Sequence, residues 1–388
     1  MSISPKRIFN RLRPAVIIDH GTTITKYAFC KDPLNVSQTY TLFKVPRDIV
    51  SMEHWELAEN AVHAENLTVD EDIKLISPLE KKVITNAPLI SKLWNIMFFN
   101  ILKIAPSRRP ILLLLSIRTS AYIQLELITH LFEDFDFATV GILYNELANL
   151  FATNKSTGVI VDLGDGGISI VPFYNGFVVK HAIWYLPITG FNLDEYFCKL
   201  LNEKGYSFNC KRDLSEIRKI RETYVYVTPN PDKEAKLYDT LGPKLEKIAY
   251  ASKDREIKLG RERYLAGEIF FNPSLMNISS VPLDEAIIES IESCLVSTRP
   301  ELYKNIILTG GLARIKGIAD RIAEEIKRKK GVSDVSIITP RDPYVISITG
   351  GFMACRKREF LEYWILREEF EKNKTRVLEK IDKLSLFE

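Results

Sequence analysis

The chain has 388 residues, 46% hydrophobic and 27% charged, a balance that excludes a disordered chain and allows two or three domains, each with its own core. Lys and Arg number 53 against 50 Asp and Glu, a formal net charge of +3, too even to argue for nucleic acid by bulk electrostatics. The five cysteines (Cys30, Cys198, Cys210, Cys294 and Cys355) are scattered, odd in number and without CxxC or zinc spacing, so neither a disulfide scaffold nor a structural zinc site is expected.

In chain order, the start MSISPKRIFNRLRP is basic and free of acids, like a transit peptide. A strand pattern begins at Ala15 and leaves little to cleave, so a cytosolic or nuclear chain is expected. No apolar run reaches the ~18–20 residues of a membrane helix. Residues 15–19 (AVIID) read as a buried strand running into a tight turn, and TKYAFC as the returning strand of a hairpin. Residues 45–85 are polar and irregular; 89–104 carry helical spacing; ILLLLSI after Arg109-Pro110 reads as a strand covered on both faces. A helix (120–132), a strand (138–143) and a helix (145–151) follow.

Residues 158–162 (GVIVD) form a second strand ending in Asp, followed by LGDGG and the alternating strands ISIVPF and GFVVKHA. IIDHGTT at 17–23 and IVDLGDGG at 160–167 share one order: apolar strand, Asp, one residue, Gly, small turn residues, hairpin. That recurrence predicts two like-folded halves. Beyond it come helices at 191–204 and 213–226 and a mixed, charged stretch at 228–280. Then follow an amphipathic helix (282–297), a buried strand (305–309), a Gly310-Gly311 turn and helices at 318–330, 350–357 and 359–386. Phe360, Trp364 and Phe370 read as the packing face of that last helix. The alternation of strands and helices predicts α/β layering.

Neither GxxxxGK[ST] nor a strand-linked GxGxxG occurs, which removes the main support for P-loop and Rossmann sites. The two Asp-x-Gly turns offer another route to a nucleotide. Small residues at 21–23 and 164–167 let backbone N–H groups approach phosphate oxygens, and Lys26 can neutralise their charge. Asp19 and Asp162 can hold Mg²⁺ through its waters, and Gly310-Gly311 leaves bare backbone for a base or ribose. His20, between Asp19 and Gly21, reads as a turn residue acting through its backbone.

Together VIIDHGTTITKYAF, STGVIVDLGDGGISIVPFYNGFVVKHAI and NIILTGGLARIKGIADRI resemble the two phosphate loops and the adenosine motif of the actin and actin-related proteins, within the actin/Hsp70/sugar-kinase superfamily. The similarity continues through PLEKKVITN, GYSF and Trp364-Ile365, over almost the whole chain. It implies an α/β, duplicated two-lobed fold with a central nucleotide cleft and a shortened subdomain 2. A basic tail would occupy 1–14, and a first lobe 15–157 with subdomain 2 at about 45–80. A second lobe would occupy 158–348 with subdomain 4 at about 205–280, and helices at 349–388 would return to the first lobe. The implied cofactor is ATP or ADP with Mg²⁺. By position, Asp19, Gly21, Thr22, Thr23 and Lys26 match the first loop, and Asp162, Gly164, Asp165 and Gly166 the second. Arg221 and Glu222 match the pair at the sugar, Gly310, Gly311 and Leu312 the adenosine turn, and Tyr344 a position flanking the base.

Two departures qualify the resemblance. The Gln and His that orient the attacking water in actin are replaced by Asn145 and Ser169. Asn is one methylene shorter and places a water differently, while the neighbouring Glu146 is expected to face away. ATP binding with slow or absent hydrolysis follows, in a structural subunit rather than an enzyme. Between Pro46 and about Asn66 the chain is short and lacks a Gly-rich hydrophobic loop that would grip a next subunit. This suits a terminal position, as in the subfamily that caps the pointed end of the actin-like filament of dynactin and supports dynein-driven microtubule transport. The Arg108-Arg109 pair before its strand matches that subfamily too. The expected partners are the other actin-like subunits of such a complex, in the cytoplasm and cytoskeleton, without direct nucleic acid or a membrane span. A chromatin-remodeller subunit in the nucleus and a filament-forming ATPase are the alternatives. A sugar or acetate kinase lacks its acceptor-activating Asp motif here.

Overall fold

The computed structural model describes residues 14–32, 35–47, 54–68, 72–251, 255–357, 360, 363–374, 377 and 379–380. Apart from Pro14, the basic tail expected at 1–14 lies outside the described residues, as do 48–53 of the shortened segment and most of 375–388.

Two sheets organise the chain. The first uses β1 (Val16–His20), β2 (Ile24–Phe29), β3 (Ser37–Tyr40), β4 (Pro110–Leu115) and β5 (Thr139–Tyr144). The second uses β6 (Gly158–Gly164), β7 (Gly167–Tyr174), β8 (Phe177–Val178), β9 (Trp184–Leu186), β10 (Ile306–Thr309) and β11 (Ile337–Ile338). A last strand, β12 (Ile365–Leu366), returns to the first sheet, whose order is β12-β5-β4-β1-β2-β3. The second runs β8-β7-β6-β10-β11, with β9 also on β7. In each, a hairpin is followed by parallel neighbours: β1 pairs antiparallel with β2 and parallel with β4, as β6 pairs with β7 and β10. The expected α/β fold with two like halves is therefore what the chain adopts. Strands β1, β4, β5 and β10 are buried at every residue, the signature of parallel strands covered on both faces.

Helices α1 (Ala87–Asn95), α2 (Ala121–Glu133), α3 (Asn145–Ala152), α4 (Gly190–Glu203), α5 (Leu214–Tyr224), α6 (Ile318–Lys330) and α7 (Ile346–Arg356) cover the sheets. One buried cluster joins β1, β4 and β5 to Ile348, Ala354, Trp364, Ile365 and Phe370, so the C-terminal part closes over the first half. A second cluster fills the other half from Val159 to Ile326. The chain crosses between halves through α3 and α7, which lie so close that a Cβ on Gly350 would stand 1.8 Å from the Ala148 carbonyl oxygen.

Some expectations are corrected. Residues 45–85 are not irregular: Phe43–Pro46, Val62–His63 and Ile73–Ile76 form a three-stranded sheet beside the helix His54–Asn60. Elements of two to seven residues are too short to impose a period. The 228–280 stretch holds a helix, Pro231–Leu245, capped by the Asn230 side chain on Lys233 N–H, and a hairpin, Lys247–Ala251 with Arg255–Leu259. The 282–297 helix stops at Glu292. The 359–386 helix is interrupted, because β12 pairs antiparallel with β5 through Val140–Ile365 and Thr139–Leu366 and completes its hydrogen bonding. Trp364 and Phe360 nonetheless sit buried with rings edge to face, 6.2 Å apart. No disulfide scaffold exists, yet one pair, Cys198–Cys210, is bonded; an odd cysteine count gave no signal for it.

The glycines at the two ends of the packing range give unequal expectations. Gly350→Ala forces α3 and α7 apart and costs about 1–3 kcal/mol, the range for overpacking. Gly242→Ala, in the helix Pro231–Leu245, meets no other element, but it directly precedes Pro243, whose ring crowds a Cβ on the preceding helical residue and offsets the propensity gain of about 0.5–1 kcal/mol, so it is near neutral. Urea midpoints of the two variants relative to the parent check both.

Candidate functional site

Asp19 and Asp162 lie near the ends of β1 and β6, so the hairpin turns that follow face each other across a cleft at the C-terminal ends of the parallel strands. Ligands of open α/β sheets bind at such strand ends. The cavity measures about 1230 Å³. Every residue matched to a nucleotide-binding position lines it: Asp19, Gly21, Thr22, Thr23, Lys26, Asp162, Gly164, Asp165, Gly166, Arg221, Glu222, Gly310, Gly311, Leu312 and Tyr344. Asn145 lines it as well, whereas Ser169 lies one layer deeper, paired with Asp162 in the β6–β7 register.

The two turns touch. A Cβ on Gly166 would lie 2.1 Å from Thr22 Oγ1, and one on Gly310 would lie 2.4 Å from Asp162 Oδ1, with Gly310 at φ +86°. Only glycine fits at these two positions, and it leaves backbone bare toward the cavity. The lining described carries seven Lys and Arg side chains against four carboxylates, an anion-attracting balance. Three buried side-chain oxygens of lining residues, Thr23 Oγ1, Asn145 Oδ1 and Asn149 Oδ1, have no hydrogen-bond partner, and buried polar atoms normally have one. Bare backbone, cationic balance and orphaned oxygens fit a polar, anionic ligand of nucleotide size.

Each aspartate carries its own lysine. Lys26 Nζ donates to Asp19 Oδ2 at 2.7 Å and to the Tyr344 carbonyl at 3.0 Å. Ser347 Oγ donates to Asp19 Oδ2 at 2.6 Å, and Asn145 Nδ2 reaches Asp19 Oδ1 at 3.4 Å. Burial pushes the Asp19 carboxyl up, but the Lys26 ammonium and the Ser347 hydroxyl outweigh it, so its pKa falls below the ordinary value. Opposite, Lys82 Nζ donates to Asp162 Oδ2, to the Asp162 carbonyl at 3.1 Å and to Ser169 Oγ at 3.4 Å. Glu146 is buried away from the cavity: it accepts from Ser116 Oγ at 3.3 Å and from Ile117 N–H at 3.1 Å. Burial raises its pKa.

Farther along the second half, Asp194 is buried between two guanidinium groups, accepting from Arg218 Nε at 2.8 Å and Arg221 Nε at 2.7 Å. Arg218 also donates to Asp165 at 2.9 Å, and the Asp165 carboxylate lies so near the first turn of α4 that a Gly190 Cβ would stand 1.9 Å from it. The Thr189 capping box fixes that turn. Arg221 is thus engaged by Asp194, while Glu222 is 61% exposed. The Tyr344 ring has Lys26 at 4.9 Å and Arg314 at 4.7 Å, and its hydroxyl donates to Gln38 at 2.8 Å.

Lys82, Arg218, Asp194 and Ser347 were missed in the sequence. Arg218 and Arg221 are three apart on a helix, a readable shared face. Lys82 comes from a turn with no phosphate-loop grammar, 80 residues from its partner. Among the described residues no cluster of three or more His, Cys, Asp or Glu is arranged to hold a metal. The carboxylates expected to hold Mg²⁺ through water, Asp19 and Asp162, are each paired with an ammonium group. The site therefore fits a polyphosphate better than a protein-held ion.

His20 corrects its expectation, since its side chain and not merely its backbone is committed. Trp94 Nε1–H donates to His20 Nε2 at 2.9 Å, which leaves the proton on Nδ1, and Nδ1 donates to Thr25 Oγ1 at 2.9 Å. Burial lowers its pKa from 6.5 to about 4, the Asp19 charge opposing. The unfolded chain takes up this proton as pH falls below 6.5 and the fold resists until about 4. The stability contribution is complete above 6.5 and lost toward 4, about 3 kcal/mol in all. Urea midpoints at about pH 7 and about pH 4.5 should differ more in the parent than in His20→Gln; equal differences would remove the assignment.

The sequence is similar along its length to a known actin-related protein. Actin-related protein 2 of Acanthamoeba castellanii is 29% identical over 381 residues, 94% of this chain and 98% of that protein. Residues 12–382 match the actin family, taking in both sheets, both Asp turns and the Gly310 turn; the chain belongs to the actin family.

Proposed function

We propose that the chain is a nucleotide-binding structural subunit of the actin-related class, one that holds ATP or ADP and turns it over slowly or not at all. The observation that carries this reading is the state of the two water-orienting positions. Asn145 is drawn onto Asp19 at 3.4 Å, and Ser169 lies under the Lys82 ammonium at 3.4 Å. Ser169 is thereby engaged, while Asn145, tied through its amide nitrogen, presents its unpartnered oxygen on a side chain one methylene shorter than glutamine, and such small misplacements are costly to rate. The phosphate-facing glycines, the lysines and the orphaned oxygens that favour binding are retained.

Within that class the chain serves as a non-polymerising end subunit, capping the pointed end of the actin-like filament of dynactin in the cytoplasm. Two features support this choice: the shortened stretch between Pro46 and Asn66, and the Arg108-Arg109 pair. Arg109 gives that pair a structural use. Its guanidinium lies 4.9 Å from the Phe29 ring and donates to the Pro14 carbonyl at 3.2 Å, pinning the entry to β1.

Nucleotide content of the purified chain checks the first part. The parent is expected to carry near-stoichiometric nucleotide, and Lys26→Ala to lower it by about tenfold or more, since it removes an ammonium that lines the cleft. A turnover per subunit equal to that of ordinary actin would overturn the structural reading. Affinity capture checks the second part: recovery of the filament and shoulder subunits of dynactin is expected, and recovery of remodeller ATPase subunits would reverse the assignment.

A further inference from the structure

We propose that Lys82 is a built-in cation of the cleft, holding Asp162 and the terminal phosphate of the nucleotide so that binding does not depend on a divalent ion. This rests on the nucleotide reading above and adds the identity of the charge that serves the second aspartate.

The geometry is specific. Lys82 lies on the turn between the short strands Leu79–Glu80 and Val83–Ile84, on the first half of the chain. Its ammonium crosses to the second half and meets three oxygens of β6 and β7: the Asp162 carboxylate, the Asp162 carbonyl at 3.1 Å and Ser169 Oγ at 3.4 Å. Both partners are largely withdrawn from solvent, with side-chain exposures of 14% and 15%, so the pair is weakly screened. The side chain runs beside the phosphate-loop glycines: a Gly166 Cβ would stand 3.1 Å from Lys82 Cγ, and a Gly164 Cβ 3.9 Å from Nζ. A phosphate held by that loop therefore comes within reach of the ammonium.

The turn is built to hold this pose. Lys81 and Lys82 adopt φ of +48° and +67°, two successive left-handed residues without glycine. Such conformations persist only where surrounding contacts fix them. Arg118 supplies one contact, donating to the Lys81 carbonyl at 3.1 Å. The Arg118 guanidinium also lies 4.5 Å from the Tyr185 ring, whose hydroxyl donates to the Gly166 carbonyl at 2.8 Å. The turn and the second phosphate loop are thus fastened to each other through Arg118 and Tyr185.

The consequence follows from the chemistry of the alternatives. Mg²⁺ is held by carboxylates largely through its own waters. At Asp162 the carboxylate and carbonyl oxygens and the neighbouring Ser169 Oγ that such waters would bond are already engaged by the ammonium. A lysine supplies the positive charge as a compact ammonium that does not acidify water as a bound divalent ion does. The same substitution explains why phosphate binding and slow turnover go together.

Calorimetric titration with ATP and with ADP, in excess magnesium and in excess EDTA, tests this on the full chain. The parent is expected to change affinity by less than about threefold between the two conditions. Lys82→Gly suits the left-handed turn, and Lys82→Met keeps the bulk; both are expected to bind about tenfold more weakly in EDTA than in magnesium. A parent that loses about tenfold or more in EDTA, or variants with no greater magnesium dependence than the parent, overturns the inference while leaving nucleotide binding intact. Absence of binding to the parent in both conditions overturns the nucleotide reading and this inference together.

Discussion

Two carboxylates placed at the ends of two central strands, nearly withdrawn from water, are the constraint on which the rest of the molecule depends. An unpaired buried charge costs several kcal/mol, so each must have a cation close by. The chain supplies one from each direction. Lys26 comes from the return strand of the same hairpin, opposite Asp19 in register. Lys82 comes from a separate turn and crosses to the other half of the chain. The first pair stabilises one half internally; the second joins the two halves. The glycines of both turns follow from the same constraint, since the loops carrying these aspartates approach within contact distance at Thr22 and Gly166.

Other joins between the halves are steric or made by hydrogen bonds such as those from Asn149 Nδ2 to Thr309 Oγ1 and from the Tyr344 hydroxyl to Gln38. Helices α3 and α7 cross at Gly350, where the backbone of one rests on the Ala148 carbonyl of the other, and Ser347 on α7 donates to Asp19. The floor of the cleft is therefore where the two helices that cross between the halves meet. Any change in the charge balance at Asp19 acts directly on the start of α7, and through Asn145, 3.4 Å from Asp19, on the start of α3. The Asp165–Arg218–Asp194–Arg221 chain does the same work inside the second half, tying the second Asp-x-Gly turn to α4 and α5.

How much of this was legible in the sequence depended on whether the signal was local. Strands β1, β4, β6 and β10 stood out because parallel strands buried on both faces leave continuous apolar runs. The duplicated Asp-x-Gly turns stood out because a hairpin with bare backbone restricts its residues to a few types. Elements of two to four residues, such as Val62–His63 and β12, were invisible, since they are specified by the partner strand rather than by a period of their own. His20 was misread for a related reason: its partner Trp94 is 74 residues away, and nothing near His20 announces a buried imidazole. Lys82 was missed although PLEKKVITN was noticed, because a lysine in a polar turn reads as solvated until the opposing aspartate is placed.

The departures from the actin pattern bear on the function proposed above. If nucleotide is bound and not turned over, as proposed, it acts as part of the fold. A ligand bound only by the folded state stabilises it by about 4 kcal/mol at a thousandfold excess over its dissociation constant. On the proposed reading that stabilisation would fall where the two halves meet, at Asp19, Asp162 and the helix starts between them, and a cleft held by nucleotide and by Lys82 would present a neighbouring subunit with one unchanging surface.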